Sequence, residues 1–191
     1  MPTLHIRNMV CDRCIMVVEQ LFHQAGLKPL SVSLGEVKIE EETLMQDQKA
    51  QLDGLLAENG FERIDDKKSQ LLEKIKATVI EAIHRQEHFE MHINWSLFLS
   101  EKLHYDYNYL SSLFSSVTGI TLEQYIIKQK IEKVKEYLFY DELSVKEIAY
   151  KLGYSSVAHL SSQFKKITGL TPSEFKESRQ TSLRKPLDNI I

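Results

Sequence analysis

The chain has 191 residues, 24 Lys and Arg against 27 Asp and Glu, and a formal net charge of −3. Its length allows one or two domains, and with 42% hydrophobic and 27% charged residues it has the composition of a soluble globular protein. The lack of a long apolar run, the start of the chain and the presence of only two cysteines predict a cytoplasmic protein without a membrane span, a signal peptide or a disulfide scaffold.

Charge is distributed unevenly along the chain. Residues 1–66 carry six basic and twelve acidic side chains, whereas the remainder carries 18 basic and 15 acidic ones. A change of sign between two parts of a chain indicates two modules. The join at residues 65–69, DDKKS, is short and polar, so we expect closely coupled domains at 1–66 and 67–178.

Hydrophobic periodicity in the first module changes repeatedly between the spacing of strands and that of helices. The pattern predicts, in order, a strand at 4–6, a helix from 14 to a C-cap at 26, a hairpin over 30–39, a helix ending at 60 and a strand at 61–64. This order, βαββαβ, is the ferredoxin-like arrangement of an α+β domain.

A Met-x-Cys-x-x-Cys motif, with Met9, Cys11 and Cys14, lies between the first predicted strand and helix. Two cysteines three residues apart at a helix N-terminus can turn both sulfurs toward one point, where the helix dipole favours thiolates. Soft thiolates suit Cu(I), whereas a structural zinc site usually needs four ligands and the chain has no third cysteine. Three interpretations stay open: a soft-metal effector site, a domain that has lost its metal and binds a partner or small molecule, and redox sensing through a Cys11–Cys14 disulfide.

In the segments LHIRNMVCDRCIMVVEQLF, LGEVKIEEE and LLAENGFERI, the first module resembles heavy-metal-associated, copper-chaperone-like domains. The resemblance implies a metal site at Cys11 and Cys14, with Phe61 packed near the metal loop. We expect Met9 to be a buried anchor of that loop and not a ligand. Asn8 stands where the family usually has glycine, and Val10 where it has threonine, histidine or aspartate, so the identity of the metal stays open.

The second module predicts helices throughout and contains a repeat. Apolar residues from 71 to 83 form one stripe of a long first helix. Behind it, residues 106–125 and 156–175 share seven identities in twenty positions at an offset of 50, and 99–105 matches 148–154 at an offset of 49. Each copy indicates a helix, a tight turn and a second amphipathic helix, which can enter a DNA major groove. From periodicity alone, a helical repeat that docks a protein partner is the alternative.

The segments YLSSLFSSVTGITLEQYIIKQKIEKVKEYL and LSVKEIAYKLGYSSVAHLSSQFKKITGLTPSEF make residues 71–178 resemble the DNA-binding domain of the AraC/XylS family of bacterial transcription factors. The resemblance implies an all-α domain with two helix-turn-helix units joined by a linker helix at about 122–138. It also implies a sequence-specific regulator of transcription that binds double-stranded DNA and is not an enzyme. No Ser/His/Asp set, carboxylate pair or phosphate-binding glycine loop can be located.

The spacing of the two second helices assigns a core face and a DNA-facing side. The predicted core residues are Leu110, Phe114, Leu160, Phe164 and Ile167. The predicted DNA contacts are Asn108, Ser111, Ser112, Ala158, His159, Ser161 and Ser162, with phosphate contacts from Lys165, Lys166 and Lys130. His159 either contacts DNA or packs. The family commonly has arginine at the positions of Ser112 and Ser162, so we expect either binding as a homodimer or readout of DNA shape.

Three smaller features of the sequence concern histidines, the tryptophan and the C-terminal segment. His84, His88 and His92 recur at helical spacing, which can bind a metal but is more typical of a solvated helix end. Trp95 is expected in the core of the first unit, and residues 179–191 are expected to form a flexible basic tail. The sequence thus predicts a transcriptional regulator that responds through Cys11 and Cys14, and a metal-handling or protein-interaction module is the alternative.

Overall fold

A computed structural model of the chain describes residues 2–85, 93–141, 143–178 and 187. The chain divides into two compact units, Met1–Ala77 and Thr78–Ile191. The expected tail at 179–191 lies outside the described residues apart from Leu187, and so do His88 and His92. Among the described residues, no helix combines the length and the apolar character that a membrane crossing requires.

Residues 2–66 form four strands and two helices in the predicted order. They are β1 Thr3–Arg7, α1 Asp12–Gln24, β2 Pro29–Ser33, β3 Glu36–Ile39, α2 Gln46–Glu58 and β4 Glu62–Ile64. The strands form one sheet in the order β2-β3-β1-β4, and every neighbouring pair is antiparallel. The hairpin between β2 and β3 turns at Gly35, whose φ of 80° is a left-handed conformation that favours glycine.

Alternation along the strands places one face of the sheet against the two helices. Ile6, Val37 and Ile39 are fully buried on the sheet side. Fully buried apolar residues at helical spacing, among them Phe22 of α1 and Leu56 of α2, complete this core. The core holds the segment between β1 and α1, and therefore the two cysteines, on a rigid base.

Helix α3, Lys67–Ile80, crosses the division between the units, which the sequence placed between 66 and 67. Its first half belongs to the N-terminal unit, and Leu71, Leu72 and Ile75 in this half are buried. Two ion pairs fix it further: Glu73 lies 3.9 Å from Arg7 of β1, and Lys74 lies 2.8 Å from Glu36 of β3. The division therefore lies inside α3 and not before it.

A π-helical turn, Glu81–Arg85, follows α3 and packs on α6, the long helix of the C-terminal unit (residues 122–140). His84 Nε2 lies 2.9 Å from Oε1 of Gln129, which is fully buried. The Gln129 amide donates to the Tyr125 hydroxyl at 3.0 Å. His84 is thus part of a polar network with the buried Gln129, and this role does not depend on His88 or His92.

Among its described residues, the C-terminal unit has six further helices after this turn. They are α4 Trp95–Leu103, α5 Tyr107–Thr118, α6 Leu122–Tyr140, α7 Val145–Lys151, α8 Val157–Thr168 and α9 Pro172–Ser178. We call α4 with α5 the first helix pair, and α7 with α8 the second helix pair. The linker helix α6 extends slightly beyond its predicted end.

The residues that the two copies share have the same structural role in each. Leu110 and Leu160 are fully buried, as are Phe114 and Phe164. Ile167, also predicted in the core, is 40% exposed, so that prediction is wrong. It lies on the same helical face as Leu160 and Phe164 but one residue before the end of α8, where the side chain stays partly exposed.

The ends of the two second helices are also duplicated. Gly119 and Gly169 terminate α5 and α8 with φ angles of 76° and 81°. Thr121 and Thr171 each accept a hydrogen bond from a backbone N–H three residues ahead, at the starts of α6 and α9. One repeat is therefore three helices long, and α9 is the shorter counterpart of α6.

Candidate nucleic-acid interface and metal site

The second helix of each pair begins at a capped N-terminus. The Asp106 carboxylate accepts from the backbone N–H groups of Asn108 and Tyr109 at 2.8 and 3.3 Å. The Ser156 hydroxyl accepts from the N–H of His159 at 3.1 Å. These caps fix where α5 and α8 start, and hence which side chains each helix presents.

Most of the predicted DNA contacts lie on exposed faces of α5 and α8. The exposed ones are Asn108, Ser112, Ala158, His159, Ser162, Lys165 and Lys166, and the half-buried ones are Ser111 and Ser161. The two serine pairs therefore occupy equivalent positions, with the second serine of each the more accessible. The two surfaces differ in charge, because Lys165 and Lys166 have Ser115 and Ser116 as their counterparts on α5.

Lys130 lies apart from these exposed residues. Its ammonium donates to the Leu152 carbonyl at 3.0 Å and lies 5.5 Å from the ring centre of Tyr154. Burial lowers the pKa of Lys130 to about 8. The predicted phosphate contact from Lys130 is therefore not supported, because the side chain turns inward on α6.

His159 is both exposed and packed. Its Nδ1 lies 3.1 Å from the Ser155 hydroxyl, and its ring stands edge-on to that of Tyr154 with centroids 5.4 Å apart. The two outcomes that the sequence left open are therefore combined in one side chain. Its ring orientation is held from within the unit while part of the ring stays accessible.

The two second helices border the same face of α6. Tyr107, at the start of α5, and His159 and Gln163 of α8 line one cavity together with Glu123 and Ile127 of α6. Because residues of both helices meet over this one face, α5 and α8 do not lie on opposite sides of the linker helix.

Sequence reasoning missed an aromatic pair on the first helix pair. Tyr105 and Tyr109 stack with ring centroids 5.7 Å apart and an interplanar angle of 24°. Each is 47% exposed. The repeat could have indicated Tyr109 as a DNA contact, since Tyr109 is the counterpart of His159 at the offset of 50.

The two cysteines lie together at the N-terminus of α1. Cys11 is the N-cap residue, Cys14 lies in the first turn, and their sulfurs are 3.4 Å apart. Burial raises the pKa of the Cys14 thiol, and this outweighs the hydrogen bonds from the backbone at Val10 and Cys11, which lower it. Desolvation is thus the largest effect on the Cys14 thiol, and it opposes the thiolate that the helix dipole is expected to favour.

The loop before the cysteines contains an asparagine in a conformation that favours glycine. Asn8 has a φ of 71°, a conformation that glycine and asparagine tolerate best, and its amide donates to the Gly60 carbonyl at 2.9 Å. Met9 is 4% exposed, as expected of a loop anchor, and Phe61 is 9% exposed. The loop is therefore tied to the start of β4.

The chemistry of the thiol pair limits which ion it could hold. Within the described part of the chain, no third His, Cys, Asp or Glu joins the two sulfurs in a metal-binding group. Two adjacent thiols fit a soft ion of low coordination number such as Cu(I), whereas a structural zinc site has four ligands.

Comparisons with known proteins bear on the C-terminal unit. The family model described as a helix-turn-helix domain matches residues 99–178, which include the end of α4, all of α5, the linker helix and the second helix pair. This part of the chain is therefore similar to the helix-turn-helix domain family. The prediction of an all-α helix-turn-helix domain in this part of the chain is confirmed.

Curated relatives match the same part of the chain. YtdP of Bacillus subtilis (strain 168), described as an uncharacterised HTH-type transcriptional regulator, is 30% identical over 107 residues, which are 56% of this chain and 14% of that protein. The HTH-type transcriptional activator RhaS of Escherichia coli O139:H28 is 26% identical over 99 residues, 52% of this chain and 35% of RhaS. The chain therefore spans well under half the length of these relatives, which are described as regulators of transcription and not as enzymes.

A solved structure agrees with the fold of this domain. The C-terminal domain of AraT, a response regulator from Geobacillus stearothermophilus, has a TM-score of 0.51 and 24% sequence identity. The match covers 60% of this chain and 90% of that one. It therefore supports the all-helical fold of this domain.

Proposed function

We propose that the chain is a sequence-specific DNA-binding regulator of transcription of the AraC type. The observation that carries the proposal is the duplicated polar surface on α5 and α8, since both helices border one face of α6. Two second helices arranged in this way would enter successive major-groove segments on one side of a duplex.

The two helices of the proposed interface, α5 and α8, would contact DNA through different kinds of side chain. On α8, Lys165 and Lys166 supply phosphate contacts, and His159 and Ser162 face the bases. On α5, where the surface is uncharged, Asn108 and Tyr109 supply the larger contacts. With serine in place of arginine at 112 and 162, a large share of specificity comes from DNA shape or from a second copy of the chain.

Selection from random duplexes followed by fluorescence anisotropy tests the function. The full chain should enrich a defined sequence, with an affinity that falls as salt rises. The double variant K165E/K166E should bind all sequences more weakly and lower the salt slope by about 2, one unit for each lost phosphate contact.

The matched control is K67E/K68E, which makes the same charge change at an adjacent exposed lysine pair at the start of α3. It should leave the salt slope unchanged. No enriched sequence, or equal losses in the two double variants, would contradict DNA binding by this surface and would favour the protein-docking alternative.

We further propose that the N-terminal unit is a ferredoxin-like, heavy-metal-associated domain that binds a soft metal ion such as Cu(I) at Cys11 and Cys14. Its element order, its antiparallel sheet and the sulfur separation of 3.4 Å support the proposal. The raised pKa of Cys14 means that binding must displace a proton, so affinity should increase with pH. The same separation also favours redox sensing by a disulfide as a second candidate.

A contact path leads from the thiol loop to α3. Arg7, which ends β1 before the loop, pairs with Glu73 of α3, and α3 continues into the C-terminal unit. A shift of the loop on metal binding would therefore reach a helix that both units share. Such coupling must be reciprocal, so that DNA changes the metal affinity by the same factor by which metal changes the DNA affinity.

Titration of the reduced chain with Cu(I) against a chromophoric chelator tests the metal site. One equivalent should bind, and the variant C11S/C14S should bind none. Measuring DNA affinity with and without Cu(I), and after oxidation of the thiols, separates the two effectors. No protection of the thiols by Cu(I), with a DNA affinity that responds only to oxidation, would replace the metal proposal by the redox one.

A further inference from the structure

The cavity over α6 has the features of a ligand site. It has a volume of about 330 Å³, which lies at the lower end of the range for small-molecule pockets. Trp95 and Ile126 are among its apolar walls, and Lys130, Tyr154, His159 and Gln163 are among its polar ones. Trp95 is half-buried at this wall and is not part of the fully buried core expected from the sequence.

A buried hydroxyl among the lining residues lacks a partner. Tyr154 is 9% exposed, and its hydroxyl oxygen is buried with no hydrogen-bond partner among the described residues. Burial also raises the pKa of Tyr154, so the hydroxyl keeps its proton at neutral pH and is a donor. Buried polar groups in proteins are almost always hydrogen-bonded, so an orphaned hydroxyl at a cavity points to an acceptor that is supplied by a ligand.

A cation lies over the ring of the same tyrosine. The Lys130 ammonium lies 5.5 Å from the centre of the Tyr154 ring and donates to the Leu152 carbonyl at 3.0 Å. Because burial penalises this charge, an anion bound beside it would be favoured over a neutral molecule of the same shape. The end of the cavity at Tyr154 and Lys130 therefore suits the carboxylate group of a ligand.

The charge at the other end of the cavity is of opposite sign. Glu123 and Lys130 lie seven residues apart on the same face of α6, roughly 10 Å along the helix axis, and both line the cavity. Ile126 and Ile127 lie between them. A ligand should accordingly have one anionic end, an apolar middle and no second negative charge.

We propose that this cavity binds a small organic monocarboxylate with an apolar body of one or two rings, as an effector site separate from the thiol pair. The carboxylate accepts from Tyr154 and pairs with Lys130, and the body contacts Trp95 and the isoleucines of α6. A phosphate of a DNA duplex is the less suitable occupant, because the Tyr154 hydroxyl is recessed below the surface that a rigid duplex could reach.

The site also adjoins the proposed DNA surface. His159 lines the cavity, and its exposed ring lies among the predicted base contacts of α8. A bound ligand that displaces this ring would change DNA affinity, a consequence that rests on the proposed function. Binding of the ligand itself does not depend on that function and can be measured without DNA.

Binding is tested on the full chain with phenylacetate as the probe, by calorimetry and by the fluorescence of Trp95, the only tryptophan of the chain. Phenylacetate should bind saturably and change this fluorescence. Acetate lacks the apolar body, phenylacetamide lacks the charge, and 1,4-phenylenediacetate adds a second carboxylate at the far end of the ring. Each should bind at least about tenfold more weakly, as expected for the loss of a charged hydrogen bond or of apolar burial.

Two variants locate the bound carboxylate. Tyr154→Phe removes only the hydroxyl, and Lys130→Met removes the charge but keeps the side-chain stem. Each should weaken phenylacetate binding by about tenfold. The matched control is Tyr150→Phe, at a tyrosine of α7 that is 66% exposed, and it should leave the affinity unchanged.

The proposal is overturned if none of the ring-bearing carboxylates binds saturably, or if binding survives unchanged in both cavity variants. Inorganic phosphate that binds as tightly as phenylacetate would overturn it as well, since the site would then select charge alone. Phenylacetate binding by a chain that fails to bind DNA would leave this site standing and remove only the proposed function.

Discussion

Burial and neighbouring charges together determine how readily His5, on β1, takes up a proton. His5 of β1 is 9% exposed, and its Nδ1 lies 3.6 Å from Glu36. Burial is the largest effect on its pKa and lowers it, Glu36 raises it, and Lys74 lowers it again. The folded N-terminal unit therefore resists protonation of this ring.

Acidification should consequently destabilise the N-terminal unit through His5. Below the ordinary pKa of about 6.5, the unfolded chain takes up a proton that the folded chain resists, so the free energy of unfolding falls as pH falls. The urea midpoint of the amide signals of β1 and β3 should decrease between pH 7 and 5. In His5→Gln this decrease should become smaller, whereas the exposed His23→Gln should keep it; equal pH dependence in both would exclude His5 as the cause.

Ser112 and Ser162 determine how strongly the proposed interface binds. Both are exposed at equivalent positions of α5 and α8. Ser112→Arg and Ser162→Arg should each tighten DNA binding by roughly tenfold, since an arginine contact to a base or phosphate is worth about 1–3 kcal/mol. Anisotropy titrations measure this change. Ser173→Arg, an exposed serine of α9 with the same charge change, is the control, and an equal gain there would show that the effect is unspecific.

At the scale of helices and strands, the repeat predicted the structure best. The shared leucines, phenylalanines, glycines and threonines of the two copies are residues whose role is set within a few positions of the chain, by burial on one helix face or by a cap. The same holds for the hairpin at Gly35. Local patterns of this kind are readable from a single sequence.

Features that depend on packing between distant segments were not predictable. Lys130 lies on the linker helix at a spacing that fits an exposed cation, yet its ammonium reaches the Leu152 carbonyl of another helix. Trp95 and the cavity over α6 are likewise set by how the helix pairs are placed on α6. The extension of the N-terminal unit into α3 arises from ion pairs with β1 and β3 that no periodicity reveals.

The glycine caps allow a direct test at this scale. Gly169 has a φ of 81°, Gly54 lies within α2 without a positive φ, and an added Cβ would meet nothing within 4 Å at either position. Gly169→Ala should therefore destabilise the C-terminal unit by about 1 kcal/mol through backbone strain alone. Gly54→Ala should stabilise the N-terminal unit by about 0.5–1 kcal/mol. Urea unfolding measures both, and a neutral Gly169→Ala would contradict the assigned cap.

In the proposed regulator, an effector-binding N-terminal unit and a DNA-binding C-terminal unit share helix α3. The thiol pair, the cavity over α6 and the DNA-facing surface are three sites on one chain. Linkage requires that each ligand which changes DNA affinity is itself bound differently in the presence of DNA. The two effector sites can be separated, because C11S/C14S leaves the cavity intact and Tyr154→Phe leaves the thiols intact.

In the proposed DNA complex, both helix pairs contact one side of a single duplex. Hydroxyl-radical footprinting of the full chain on its selected sequence tests this most directly. We expect two protected segments on the same face of the DNA, with centres about 10 base pairs apart. Protection should be lost from one segment in K165E/K166E and kept in K67E/K68E. A single protected segment, or two segments on opposite faces of the duplex, would contradict the claim.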